Sequence, residues 1–88
     1  MIVARIIDSI WATRKAEELN GFKFVLGEEL TSEGNGKRRI VAVDIVGAGI
    51  GDRVIITTGS SGRKMLGDEN IPVDAVVVGI VDDDCNFK

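Results

Sequence analysis

The chain has 88 residues, of which 44% are hydrophobic and 28% are charged, and its formal net charge is -3. This composition is typical of one small globular domain and excludes a disordered chain. The acidic balance argues against a protein that clamps a nucleic-acid backbone, because such binding depends on neutralised phosphates. A domain this short buries a small fraction of its surface, so association with copies of itself would stabilise it.

The cysteine and histidine content restricts the chemistry. Cys85 is the single cysteine and histidine is absent, so the usual general base, the commonest zinc ligand and an intrachain disulfide are all missing. The acidic run at 82–84 is interpreted as solvated, because a cation site would need further converging oxygens. No signal peptide or membrane-spanning run is recognised. We therefore expect a cytoplasmic protein with no cofactor, metal or membrane association.

The first thirty residues predict two strands. Residues 1–11 are rich in β-branched side chains and lack glycine and proline, which favours a strand, although the apolar spacing also fits a helix. An Asn-Gly dipeptide at 20–21 indicates a turn. In residues 22–30, large apolar side chains alternate with Lys23 and Val25, which predicts a second strand with one well-buried face that carries Phe22 and Phe24.

The centre of the chain predicts a third strand that leads into a glycine-rich loop. Residues 31–37 are polar and contain glycine, so they indicate an exposed loop before the strand over 38–46. In that strand, Val41 and Val43 share one face and Asp44 lies on the other. Because Asp44 lies three residues before the first glycine of the loop, we interpret its carboxylate as an acceptor for loop N–H groups and not as a catalytic group.

Glycine occupies every second position from 47 to 51, a spacing that suits a sharp turn or the close approach of another backbone. A fourth strand is predicted over 53–58. After it, Ser60 and Ser61 could cap a short helical turn that Gly67 ends.

The last predicted strand, over 74–82, is apolar on both faces. One face can line a core, and we expect a neighbouring subunit to cover the other. Five strands with a short helical turn between the fourth and fifth indicate an all-β (mainly) fold. We predict a small OB-like, closed or half-closed antiparallel β-barrel that forms a single domain over residues 1–88.

Two glycine motifs fit turns better than ligand sites. The glycines at 47–51 lack the spacing of a dinucleotide loop and precede a strand instead of a helix. The turn from Gly59 to Arg63 could form an anion nest, but a turn pinned by Arg63 to an acidic group or a carbonyl fits better. Ser60 with Lys64 is unsupported as a catalytic dyad.

An OB-type module that binds single-stranded nucleic acid is the alternative function. It would use Trp11 as an exposed stacking residue and residues 37–39 as a basic patch. The net charge and the acidic residues near that patch favour a protein that binds no nucleic acid.

Three motifs occur in a specific order: Asp44-Ile-Val-Gly-Ala-Gly-Ile-Gly-Asp-Arg-Val54, Gly59-Ser-Ser-Gly-Arg63 and Pro72-Val-Asp-Ala-Val-Val-Val-Gly-Ile-Val-Asp82. Together with residues 12–15 and 19–23, they resemble the EutN/CcmL family of bacterial microcompartment vertex proteins. The resemblance implies a structural protein, not an enzyme, with an OB-like barrel. It further implies a homopentamer at the five-fold vertices of a polyhedral shell, in contact with hexagonal shell proteins.

By this resemblance, the glycine loop and the following turn belong to subunit contacts and to the surroundings of the five-fold axis. The candidate residues are Gly47, Ala48, Gly49, Ile50, Gly51, Gly59, Ser60, Ser61 and Arg63. Two positions depart from the family pattern, which often has alanine where Gly62 stands and glycine near Asp8. The loop at 31–37 is short beside carboxysomal members, which favours a catabolic metabolosome over a carboxysome.

Overall fold

The computed structural model describes residues 1–10, 17–19, 21–30, 38–67 and 73–82. Residues 2–10 form a strand, so the helical alternative for this segment is wrong. The 3-10 helix at 17–19 was not anticipated from the sequence. The elements in chain order are β1 (Ile2–Ile10), the 3-10 helix (Glu17–Leu19), β2 (Lys23–Glu29), β3 (Arg39–Asp44), β4 (Arg53–Thr58), α1 (Ser60–Met65) and β5 (Ala75–Ile80).

The five strands close into a barrel in the order β1-β2-β3-β5-β4. Every neighbouring pair is antiparallel except β3 and β5, which run parallel and pair through Val43 with Val76 and Asp44 with Val77. The predicted small OB-like barrel is therefore confirmed, but its description as antiparallel is wrong at this one seam. The reason is geometric: strand direction cannot alternate all the way around a closed ring of five.

The barrel interior is narrow and is filled by small and medium side chains. Its buried residues are Ala4, Ile6, Val25, Ala42, Ala48, Val54, Ile56, Ala75 and Val77. At Gly27, a Cβ atom would lie only 3.3 Å from the Cβ of Ala4 and 3.4 Å from Cδ1 of Ile56. Phe22 and Phe24 therefore pack on the outside of the barrel, where both are partly buried, so the face predicted to be buried is covered by an outer cluster and does not line the barrel interior.

A second apolar cluster lies outside the barrel and covers the outer face of β5. Its buried residues are Val43, Val73 and Val76, with Leu19, Phe22, Phe24, Leu66 and Val78 packed against them. The expected cover from a neighbouring subunit is thus wrong at Val76, because the chain's own helical turns supply it. Ile80, at the far end of β5, remains 46% exposed. Within the described ranges, no helix is long and apolar enough to span a membrane.

Candidate subunit interface

A single buried carboxylate holds the loop at 45–52, which joins β3 to β4. The Asp44 side chain is 0% exposed. Its Oδ1 accepts hydrogen bonds from the amides of Val46 at 3.0 Å and Gly47 at 3.2 Å, and its Oδ2 accepts one from Ala48 at 2.8 Å. The predicted role of Asp44 as the acceptor that fixes this loop is confirmed.

Lys23 completes this buried site from the neighbouring strand. Lys23 pairs with Asp44 in the register of β2 and β3, and its Nζ lies 3.3 Å from Oδ2 of Asp44. The same ammonium donates to the carbonyl oxygen of Ala48 at 2.8 Å. A buried carboxylate needs both a counter-charge and hydrogen-bond donors, and Asp44 has both. Sequence reasoning missed this role of Lys23, because only the strand register brings it opposite Asp44.

The far end of the loop is tied to β1. The Gly51 amide donates to the Ile6 carbonyl at 2.8 Å, and the Ile6 amide donates to the Asp52 carbonyl at 2.9 Å. Arg5 Nη1 adds a hydrogen bond to the Gly51 carbonyl at 2.9 Å. Since Ala48 also packs in the barrel core, the loop is anchored at both ends and in the middle. It is a rigid closure of this end of the barrel.

The three loop glycines differ in whether the backbone conformation requires glycine. Gly47 and Gly51 have φ values of 83° and 92°, a region that glycine adopts without strain. Gly49 has no positive φ, and a Cβ atom there would meet only Oδ2 of Asp52, at 3.7 Å. Nothing within the described part of the subunit therefore requires glycine at position 49.

The loop displays large apolar side chains although it is rigid. Ile50 is 67% exposed, and Ile45 and Val46 are also exposed. We call these three side chains the apolar loop surface. An exposed apolar cluster on an immobile loop is a feature of interaction sites. The chemistry of this surface suits burial against another protein.

The second candidate segment begins at the other end of β4. Gly59 precedes α1 with φ 70° and ψ -149°, a conformation confined to glycine, and no side chain caps the helix. The expected capping by Ser60 and Ser61 is therefore wrong, since Ser60 is already the first helical residue. The Gly59 amide instead donates to the Asp74 carbonyl at 2.6 Å, which ties the turn to the start of β5. Gly67 follows α1 with φ 81°, as predicted for the residue that ends it.

Among the residues that the structure describes, the Arg63 guanidinium has no hydrogen-bond or ion-pair partner. The contact predicted to pin this turn is therefore not found among them. Ser60 and Ser61 are exposed. The glycine loop precedes β4 and this turn follows it, so a six-residue strand, about 17 Å long, separates the two candidate segments. The structure thus presents two separate surfaces.

A closed five-stranded barrel that displays apolar side chains on a rigid loop is typical of a small domain that assembles with other proteins. Within the described residues, no group of three potential metal-ligating side chains lies together. The family model described as "Ethanolamine utilisation protein EutN/carboxysome" matches residues 1–82, so the chain belongs to the EutN/CcmL family.

Named relatives specify the role of this family. The chain is 39% identical over 83 residues to the carboxysome shell vertex protein CcmL of Synechocystis sp., covering 93% of this chain and 83% of the relative. It is 40% identical over 84 residues to the microcompartment shell vertex protein GrpN of Rhodospirillum rubrum, covering 93% of each. The solved structure of pentameric GrpN superposes with a TM-score of 0.78 at 38% identity, covering 93% of this chain and 94% of that one.

The named relatives test several of the predictions made from the sequence. The chain is a vertex protein of a bacterial microcompartment shell, and its expected assignment as a structural protein and not an enzyme is confirmed. The preference for a catabolic metabolosome is not supported, because a carboxysome relative is about as similar as GrpN. The loop at 31–37, on which that preference was based, lies outside the described residues.

The alternative of a nucleic-acid-binding module is not favoured. The relatives are shell proteins, and Phe24 packs in the outer cluster. In the predicted basic patch, Arg39 Nε lies 3.4 Å from Oε2 of Glu28, so an acidic group accompanies it. Trp11 and Lys37, which this alternative would also need, lie outside the described residues.

Proposed function

We propose that five copies of this chain form a cyclic homopentamer that occupies a vertex of a polyhedral microcompartment shell. Its neighbours in the shell would be hexagonal facet proteins. Family membership and the pentameric GrpN structure support this assembly. The family match over residues 1–82 also supports a single domain. The proposal applies to a carboxysome and to other microcompartments, since vertex proteins of both kinds are similar to the chain.

The main support for the proposal is the apolar loop surface, because the rigid loop that displays it cannot bury these side chains within the subunit. The hydrogen bonds of Asp44 hold the loop backbone in place, so Ile50 cannot reach the barrel core by a small rearrangement. Burial of apolar surface contributes about 25 cal/mol per Å². A contact that buries these side chains between subunits would therefore stabilise the pentamer relative to isolated barrels.

We assign the glycine loop and the Gly59–Arg63 turn to subunit contacts. Gly49 supports this assignment, because its missing side chain has no explanation inside the subunit. Close approach of a second backbone would explain it. The same reasoning does not extend to Gly47 and Gly51, whose backbone conformations already require glycine.

Native mass spectrometry tests the assembly. The purified protein should have five times the 9.4 kDa mass of the chain. Gly49→Val should prevent ring formation while its circular dichroism remains that of a folded β-barrel. The control Ser9→Val adds a branched side chain to β1, outside the candidate residues, and should remain pentameric. A normal pentamer from Gly49→Val would contradict the interface assignment, and a wild-type monomer or twofold dimer would contradict the vertex proposal.

We further propose that the assembled protein binds no nucleic acid. The net charge of -3 supports this, because phosphate binding requires an excess of cationic contacts. Fluorescence anisotropy with a labelled single-stranded oligonucleotide should show no salt-dependent binding. Binding that weakens steadily as salt is raised would instead support the OB-type alternative.

A further inference from the structure

An open apolar groove of about 200 Å³ lies on the outside of the barrel, where β3 passes the beginning of β5. β3 pairs with β5 only through Val43 and Asp44, so these two strands diverge at this point. Val41, at the groove, is 50% exposed although it is apolar. The groove lies between Phe24, Val41 and Val43 on one side and Val73, Asp74 and Ala75 on the other.

Ile50 and the groove lie on different sides of the barrel. Ile50 precedes Gly51, whose amide donates to the Ile6 carbonyl of β1, whereas the groove lies between β3 and β5, neither of which pairs with β1. Ile45 is nearer to the groove, because it follows Val43 by two residues. A closed ring of five requires a heterologous contact, in which two different surfaces of the chain meet.

The two surfaces are complementary in size and polarity. An apolar cavity of roughly 150 Å³ accommodates a benzene molecule, so a 200 Å³ groove accommodates one isoleucine side chain. Beside the apolar loop surface, the half-exposed Lys23 ammonium and the Arg5 guanidinium bind loop carbonyls. The groove carries the exposed carboxylate of Asp74, which has no hydrogen-bond or ion-pair partner among the described residues. Cationic side chains thus flank the apolar protrusion, and an acidic one flanks the groove.

We propose that Ile50 of one subunit inserts into the groove of the next, with Ile45 and Val46 packed at its rim. The occupant of the groove is a second copy of this chain, and the inference depends on the proposed pentamer. The contact runs head to tail around the ring, from the glycine loop of each subunit to the groove of its neighbour. It also brings Lys23 and Arg5 towards Asp74 of that neighbour.

Engineered disulfides test this contact directly. In a Cys85→Ser background, a chain carrying Ile50→Cys and Val41→Cys should form disulfides between copies on oxidation. Non-reducing gel electrophoresis should then show a ladder that ends at five chains. When two single variants, Ile50→Cys and Val41→Cys, are mixed, only covalent dimers should form. The matched control pairs Val41→Cys with Met65→Cys, an exposed position outside both surfaces, and should give no ladder.

A second variant fills the groove without engineered cysteines. Val41→Trp should shift the native mass from pentamer to monomer, whereas Met65→Trp should remain pentameric. If the wild type is a pentamer but the Ile50–Val41 ladder is absent and Val41→Trp is still pentameric, this inference is overturned and the vertex function stands. If the wild type itself is not pentameric, the proposed function fails before this contact is tested.

Discussion

The carboxylate of Asp44 holds the backbone of Ala48: its Oδ2 accepts the Ala48 amide at 2.8 Å, and the Ala48 side chain packs in the barrel core. One residue at the end of β3 therefore decides the path of the loop that displays Ile50. The stability of the barrel and the shape of the proposed interface are coupled through this hydrogen bond.

Replacing Asp44 by alanine should destabilise the subunit strongly. Asp44→Ala removes a buried acceptor from three backbone amides and leaves the Lys23 ammonium without its counter-charge. We expect the free energy of unfolding to fall by about 2–4 kcal/mol. Urea denaturation at one protein concentration measures this change. Asp8→Ala, which removes an exposed carboxylate with one local hydrogen bond, should change the value by less than about 0.5 kcal/mol.

The contributions of Lys23 and Asp44 should not be additive. Lys23→Met keeps the aliphatic stem but loses the hydrogen bond to the Ala48 carbonyl and the ion pair. Because the ammonium is half exposed, we expect a loss of only about 1 kcal/mol. In Asp44→Asn the ion pair is already absent, so Lys23→Met should then cost less. A double-mutant cycle measures the difference, and strict additivity would show that the two side chains act independently.

Adding a single methyl group at Gly27 should destabilise the subunit, because the barrel interior is narrow there. Gly27→Ala would place its Cβ 3.3 Å from the Cβ of Ala4, so we expect a loss of about 1–3 kcal/mol. Gly79→Ala is the matched control on β5, because its Cβ would meet only Cδ1 of Ile55, at 3.8 Å. That variant should be as stable as the wild type or gain about 0.5 kcal/mol from reduced freedom of the unfolded chain. Equal urea midpoints for both variants would contradict the tight interior at Gly27.

Replacing Arg63 by alanine should distinguish a subunit interface from a ligand site. Its guanidinium has no partner among the described residues, so Arg63→Ala should leave the stability of an isolated subunit almost unchanged. If the turn contacts another copy, the variant should form a weaker pentamer that dissociates at a higher protein concentration than the wild type. Mass photometry across a dilution series measures this. An unchanged oligomer together with lost binding of inorganic phosphate would indicate an anion site instead.

Much of the fold follows from local patterns. The alternation and β-branched content of the strand segments predicted all five strands to within one or two residues at most ends, and 53–58 agrees fully. Asp44 was recognisable because an aspartate at the start of a glycine-containing loop is a common acceptor for backbone amides. The 3-10 helix at 17–19 left no comparable pattern, since three residues are too few to show a helical period.

The choice of inward face could not be predicted in the same way. Phe24 and Val25 are both apolar, and alternation alone cannot say which of them points inside. The structure places Val25 inside, because the closed ring leaves no room for an aromatic side chain near Ala4 and Gly27. Lys23 likewise looked like an ordinary exposed position until the register brought it opposite Asp44.

The amino-acid sequence by itself determined the five strands, the glycine loop and its aspartate, because each depends on preferences among residues close together in the chain. Only the tertiary structure decided that β3 and β5 run parallel, that small and medium apolar side chains fill the barrel, and that Ile50 and the groove lie on different sides of it. These features arise because five strands close into one ring. Closure fixes the width of the barrel interior and the relative directions of the strands, and neither can be predicted from a single segment.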